Sequence, residues 1–245
     1  MTNDPSGAVL LTGASTGIGR VLCQRLLDQG REVVALSRRG SGLQHPRLHE
    51  HAVDLADAAA TAQAAAEVAR QFDVSGFVHN AGAMRPALLA DVQPEDLPTL
   101  SQLHIGSAIT LMQAVLPGMR QRRFGRVVLL GSRGALGAAT RSAYAATKAG
   151  LVGLCRTWAL ELAAEGITVN VVAPGPIGGT EMFHEVVPAH SERERKLAAA
   201  IPVQRLGTPQ DVAHAVQFFI APEAGFVTGQ VLYVCGGASV GSIVI

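Results

Sequence analysis

The chain has 245 residues, 48% of them apolar, and a formal net charge of +1. That is enough for one large core or two small ones, and a near-neutral chain with no basic block carries no electrostatic footprint for nucleic acid. No apolar run approaches the roughly 18 residues of a membrane span, and the start MTNDPSGAVLLTG reads as neither a signal peptide nor an anchor. The three cysteines, Cys23, Cys155 and Cys235, lie far apart with no CxxC pair. They are expected to be buried free thiols in a reducing compartment, the cytoplasm, and not metal ligands.

In chain order, Ala8–Leu11 is a short apolar strand. The turn Thr12-Gly13-Ala14-Ser15-Thr16-Gly17-Ile18-Gly19 follows, then a helical pattern from Arg20 to Gln29. Glycines let a backbone approach a pyrophosphate, and a helix N-terminus supplies free N–H groups and partial positive charge. The spacing is GxxxGxG, so a plain tight turn competes with a dinucleotide site at this point. Glu32–Leu36 is the second strand, ending at Ser37-Arg38-Arg39. An acidic residue here would bind the adenosine ribose and favour NAD; its absence, with Arg38 present, favours NADP. Ala52–Leu55 ends a third strand, where Asp54 either accepts from an adenine amino group or caps the Ala56–Arg70 helix, a role Asp57 can also take.

Gly76–Gly82 is a fourth strand running into a Gly turn, and Glu95–Arg120 reads as mostly helical, with Pro98 near its start and Pro117 near its end. The cluster Arg120, Arg122, Arg123 and Arg126 fits its solvated C-terminus. Gly125–Leu130 is the fifth strand, Ser142–Ala164 a helix, Ile167–Val172 the sixth strand, Pro209–Ile220 a helix and Gly229–Val234 the last strand. Between them, about 178–202 breaks the pattern and reads as a substrate lid with apolar Met182, Phe183, Val186 and Val187. The alternation predicts one doubly wound α/β domain of Rossmann type over 1–245, with a parallel sheet of about seven strands and helices on both faces.

The stretch from Ser132 to Lys148 carries the chemistry. Tyr144 and Lys148 are four apart on a helix, hence on one face. An ammonium near a phenol favours the phenolate and pulls the Tyr pKa below its free value of about 10, which makes Tyr144 a candidate general acid/base. A solvated Tyr–Lys pair is the plain alternative. Against it, the chain has two Tyr and two Lys beside eighteen Arg, and Arg cannot replace Lys where a pKa is tuned. Ser132 falls just past a strand's C-terminal end, where open parallel sheets bind ligands, and can orient a carbonyl.

With GxxxGxG, Asn80-Ala81-Gly82, Ser132, Tyr144xxxLys148 and Pro174-Gly175 in this order, essentially the whole chain resembles the short-chain dehydrogenase/reductase family, in its 3-oxoacyl-[acyl-carrier-protein] reductase-like branch. The resemblance implies an oxidoreductase that interconverts a ketone and a secondary alcohol with NADP(H), or with NAD(H) as the second choice. Ser132, Tyr144 and Lys148 match the family's catalytic residues. Gly13, Ser15, Thr16, Gly17, Ile18, Gly19, Asp54, Leu55, Asn80, Ala81 and Gly82 match its cofactor site, as do Pro174, Gly175, Ile177 and Thr180 on the nicotinamide side. The family's members are usually homotetramers, and a homodimer is the smaller alternative. Several positions depart from the pattern: the Ser132–Tyr144 gap is one residue shorter than in many members, Gly178-Gly179 is one longer, and Thr16 stands where many NADP-preferring members carry a base. His79 stands where the family commonly has Asn, and His104 stands where it carries the Asn of a proton relay, so His104 is included among the candidate catalytic residues. The competing readings are an NAD-dependent dehydrogenase of a cyclic alcohol or cis-dihydrodiol, and a non-catalytic dinucleotide-binding sensor or scaffold.

Overall fold

A computed structural model describes residues 7–240; the first six residues and the last five lie outside the described region. Seven strands form one parallel sheet in the order β3-β2-β1-β4-β5-β6-β7. They are β1 Ala8–Thr12, β2 Val33–Ser37, β3 Leu48–Ala52, β4 Val74–His79, β5 Gly125–Leu130, β6 Ile167–Pro174 and β7 Val231–Val234. The helices are α1 Gly17–Asp28, α2 Ala58–Gln71, α3 Asp96–Ser101, α4 Ser107–Arg122, α5 Ser142–Leu162, α6 Glu181–His184, α7 Glu192–Ala200 and α8 Pro209–Ile220. The sequence reading of a doubly wound parallel sheet is correct.

Central strands are buried on both faces and are therefore mostly apolar. Successive side chains alternate between faces. Leu10, Val34, Leu36, Phe77, Val127 and Leu129 pack under α2, α4 and α5, while Val9, Leu11, Val33, Ala35, Val78, Val128 and Leu130 pack under α1 and α8. The chain runs outward from β1 to β3 and then returns to the other side of β1 at β4. This reversal opens a crevice beyond the C-terminal ends of β1 and β4, the place where such sheets bind ligands.

Capping explains most boundaries. Asp57, not Asp54, caps α2, accepting from Ala59 and Ala60. The third strand stops at Ala52, so Asp54 and Leu55 belong to the turn after it. Thr208 and Asp211 form a reciprocal capping box on α8, with Pro209 at its first position. The lid segment is more regular than expected, because Thr180 and Ser191 supply side-chain caps for α6 and α7.

The mostly helical stretch expected over 95–120 is helical in three pieces. Between α3 and α4 the backbone widens into a π turn at Gln102–Gly106, and the Ser107 N–H reaches back to the Gln102 carbonyl. Such bulges insert one extra residue into a helix and often mark functional sites. Hydropathy periodicity does not register so local an insertion. Among the described residues all three cysteines are free and buried, and no helix is long and apolar enough to cross a membrane.

Candidate active site

The glycine turn is held from two sides. Gly13 and Gly17 have φ of +69° and +54°, the left-handed region that favours glycine. At Gly19 an added Cβ would fall 2.0 Å from the Gly13 carbonyl oxygen, so only glycine lets α1 close on the turn. Asn80 Nδ2 donates to the Thr12 and Gly13 carbonyls at 3.2 and 2.9 Å. The Thr12 hydroxyl oxygen accepts from the Asn80 and Ala81 N–H groups at 3.0 and 2.9 Å. Asn80 thus acts on the turn itself.

The N-cap of α1, Thr16, makes no side-chain cap, and the first turn has no acidic residue. Its free N–H groups and dipole face the crevice between Ser15 and Ile18, and suit a pyrophosphate. The crevice continues from this cradle to the ends of β2 and β3. Arg38 there is exposed, while Arg39 pairs with Glu181 of the lid at 2.8 Å. Asp54 is exposed and accepts from the Ala56 N–H, and the Leu55 carbonyl accepts from Thr61 and Gln102.

At the other end, Gly175 donates to the Val234 carbonyl, and an added Cβ there would press on Cys235 at 2.8 Å. Ile177 pairs with Gly207, and Thr180 caps α6. A Cβ on Gly17 would meet Thr180 Cγ2 at 3.2 Å, so the 174–180 segment lies over the glycine turn.

Ser132, Tyr144 and Lys148 meet beyond the end of β5. Ser132 Oγ accepts from the Gly134 N–H at 3.0 Å, which leaves its O–H free to donate. Tyr144 and Lys148 project from the first two turns of α5 and are 9% and 4% exposed. Lys148 Nζ donates to the Leu130 carbonyl at 2.7 Å and lies 5.8 Å from the centre of the Tyr144 ring. Burial pushes the ammonium down to about 7.

The expected lowering of the Tyr144 pKa is reversed. Burial of the phenol raises it, against opposing contributions from the Ser132 hydrogen bond and Arg141. Desolvation penalises the phenolate more than its partners favour it, and the lysine head is turned to the Leu130 carbonyl.

His104 is fully buried in the π turn. Its Nε2 accepts from the Ala83 N–H at 3.2 Å, and its Nδ1 lies 2.8 Å from Thr147 Oγ1. Burial and nearby Lys148 and His79 hold the ring neutral, with its pKa at about 2. His79, equally buried, sits 3.1 Å from Thr12 Oγ1 through Nδ1. Gly82 is wedged between the groups: an added Cβ would lie 3.1 Å from His104 Nε2 and 3.5 Å from Lys148 Nζ. Sequence reading missed Thr12, Thr147 and Glu181. A lone Thr in a strand or helix gives no signal until its fold neighbours are known.

The matching family model, described as enoyl-(acyl carrier protein) reductase, spans residues 13–239. The chain is 35% identical over 236 residues to the 3-oxoacyl-[acyl-carrier-protein] reductase FabG of Vibrio cholerae, covering 93% of this chain and 95% of that one. It is 37% identical over 255 residues to the (2S)-[(R)-hydroxy(phenyl)methyl]succinyl-CoA dehydrogenase subunit BbsC of Thauera aromatica, covering 98% and 97%. A solved structure of a short chain dehydrogenase/reductase family protein superposes with a TM-score of 0.84 at 32% identity, covering 96% and 97%. With the glycine turn, the strand-end crevice and the Ser–Tyr–Lys cluster, these likenesses show that the chain belongs to the short-chain dehydrogenase/reductase family and is an NAD(P)-dependent oxidoreductase.

Proposed function

We propose that the enzyme prefers NADP(H) and interconverts a ketone and a secondary alcohol, in the manner of 3-oxoacyl reductases, with Tyr144 as the acid/base. The observation that carries this reading is the cluster of half-buried Ser132 with buried Tyr144 and Lys148 at the end of β5. The nicotinamide, when bound, supplies or takes the hydride at the reacting carbon. Tyr144 gives its hydroxyl proton to the ketone oxygen in reduction and takes it back in oxidation. Burial keeps the phenol protonated at neutral pH, which suits the reductive direction. Ser132, its acceptor side already used by Gly134, donates to the same oxygen. Lys148 has two N–H donors beyond the one given to Leu130. They serve the nicotinamide ribose and favour the phenolate as it forms.

Arg38 and the absence of an acid at the end of β2 support the 2′-phosphate assignment. Both named relatives act on acyl thioesters, which supports a ketone carried on a thioester as the substrate class. In the 178–202 lid, Phe183 and Val187 are buried and pack it down, while Met182 and Val186 are half-buried and offer an apolar wall. The resemblance to the family's homotetramers supports a homotetramer here.

Tyr144→Phe is the test. We expect loss of turnover by 10²–10⁴-fold, the range for a general acid, with NADPH affinity retained by fluorescence titration. Turnover near the wild-type rate would remove Tyr144 from the chemistry.

A further inference from the structure

We propose that His104 and Thr147 are positioning residues, a one-way hydrogen-bond chain that ties the cofactor turn after β4 to the backbone of Tyr144. The inference rests on Tyr144 as the acid/base and adds how that residue is held.

The direction of every bond follows from what each atom can do. The Ala83 N–H only donates, so His104 Nε2 is the unprotonated nitrogen. A neutral ring then carries its proton on Nδ1 and donates it to Thr147 Oγ1 at 2.8 Å. The Thr147 hydroxyl lies 3.1 and 3.0 Å from the Ala143 and Tyr144 carbonyls, which only accept. The chain therefore runs from Ala83 through His104 and Thr147 to the Ala143–Tyr144 backbone. Its first member is a backbone amide, which neither gives up its proton nor takes another near neutral pH. Protons cannot be relayed along it, so the chain works by holding position.

A second, parallel tie uses His79. Thr12 Oγ1 already accepts from Asn80 and Ala81, so its own proton goes to His79 Nδ1. The His79 proton then sits on Nε2. That nitrogen is buried without a hydrogen-bond partner of good geometry, and the Leu103 and His104 backbones of the π turn lie close enough to favour a proton on it. The two histidines thus link the glycine turn, the Asn80–Ala83 segment, the π turn and α5 in one buried layer. The His104 ring also packs edge-on against the Tyr144 ring, 5.8 Å between centres. A cofactor that settles the Asn80–Ala83 turn thereby settles Tyr144.

Thr147→Val and Thr147→Ser separate positioning from packing, because valine keeps the shape and serine keeps the hydroxyl. We expect Thr147→Val to lower kcat about tenfold, with KM for the ketone and NADPH affinity within about twofold of wild type. Thr147→Ser should restore most of kcat. Wild-type kcat in Thr147→Val, or equal loss in both variants, would overturn the proposal. His104→Phe should repeat the Thr147→Val loss, and the double variant should be no worse than either single one; independent, multiplying losses would break the chain into unrelated contacts. Tyr144→Phe assayed alongside keeps the readings apart. An active Tyr144→Phe enzyme sinks the acid/base assignment, whereas an inactive one beside an unimpaired Thr147→Val sinks only the positioning chain.

Discussion

Two cations are buried at opposite ends of β5, and the protein treats them differently. Arg126, near the strand's start, is 2% exposed. Its guanidinium donates to the carbonyls of Ala221, Gly125, Gly166 and Pro222 at 2.9–3.2 Å and stacks 4.3 Å from the centre of the Phe124 ring. Lys148, at the strand's end, is 4% exposed and donates to one carbonyl, Leu130. A buried charge is costly unless its donors are matched. At Arg126 the backbone replaces the lost water. At Lys148 two donors are left to the crevice, and burial drives its pKa toward neutrality. The satisfied cation ties backbone segments together, and the under-satisfied one keeps donors open to the crevice.

The contrast is tested first at its reactive end. Lys148→Met should reduce kcat by about 10²–10⁴-fold, and Lys148→Arg should not rescue it, because a guanidinium has a different shape and does not lose its proton near neutral pH. Steady-state kinetics on both variants decide this; a Lys148→Arg enzyme near the wild-type rate would remove the need for a tunable ammonium. At the other end, Arg126→Met removes the side-chain donor of four carbonyls, of which Gly166 and Ala221 keep a backbone N–H. It should destabilise folding by about 3 kcal/mol, read as a lower urea midpoint, while kcat of the folded protein stays unchanged. A stable Arg126→Met would equate the two cations and remove the distinction.

The pH dependence sharpens the same comparison. The folded Lys148 pKa of about 7 lies below its usual 10.5. Between these values the unfolded chain carries a proton that the folded chain lacks, so Lys148's contribution to stability rises with pH across that window and flattens beyond it. The slope is at most about 1.4 kcal/mol per pH unit. Chemical denaturation from pH 7 to 10 should show this rise in the wild type relative to Lys148→Met. Parallel curves would mean that the ammonium stays charged in the fold. The smallest effect concerns an exposed cation. Arg38→Ala should weaken NADPH binding about tenfold, or about 1.4 kcal/mol, and leave NADH nearly unaffected, with the difference shrinking in salt. Equal loss for both cofactors would remove Arg38 from phosphate recognition.

How much of this was legible beforehand divides by range. The strands and most helices were visible because burial on both faces makes β1 and β5 largely apolar runs and because the helices between them keep a helical spacing of apolar residues; the Thr180 and Ser191 caps, which make α6 and α7, were not read. The π turn was not, since one inserted residue barely changes the spacing of apolar side chains. His104 stood out as an odd residue, but a sequence cannot show that both its nitrogens are already engaged. The Tyr144 shift was misjudged because helical spacing brings Lys148 near without saying how deeply both are buried or which way the lysine head turns.

The sequence by itself determined the parallel sheet, the glycine turn and the Tyr144–Lys148 pairing, because each depends on residues close in the chain or on a repeated pattern of burial. Only the tertiary structure decided that Asn80 braces the glycine turn, that Arg126 is caged while Lys148 is not, and that His104 reaches Tyr144 through Thr147. These outcomes depend on which carbonyls and amides from distant segments arrive at one buried point. There, with water excluded, each donor is left with whatever acceptor the fold brings to it.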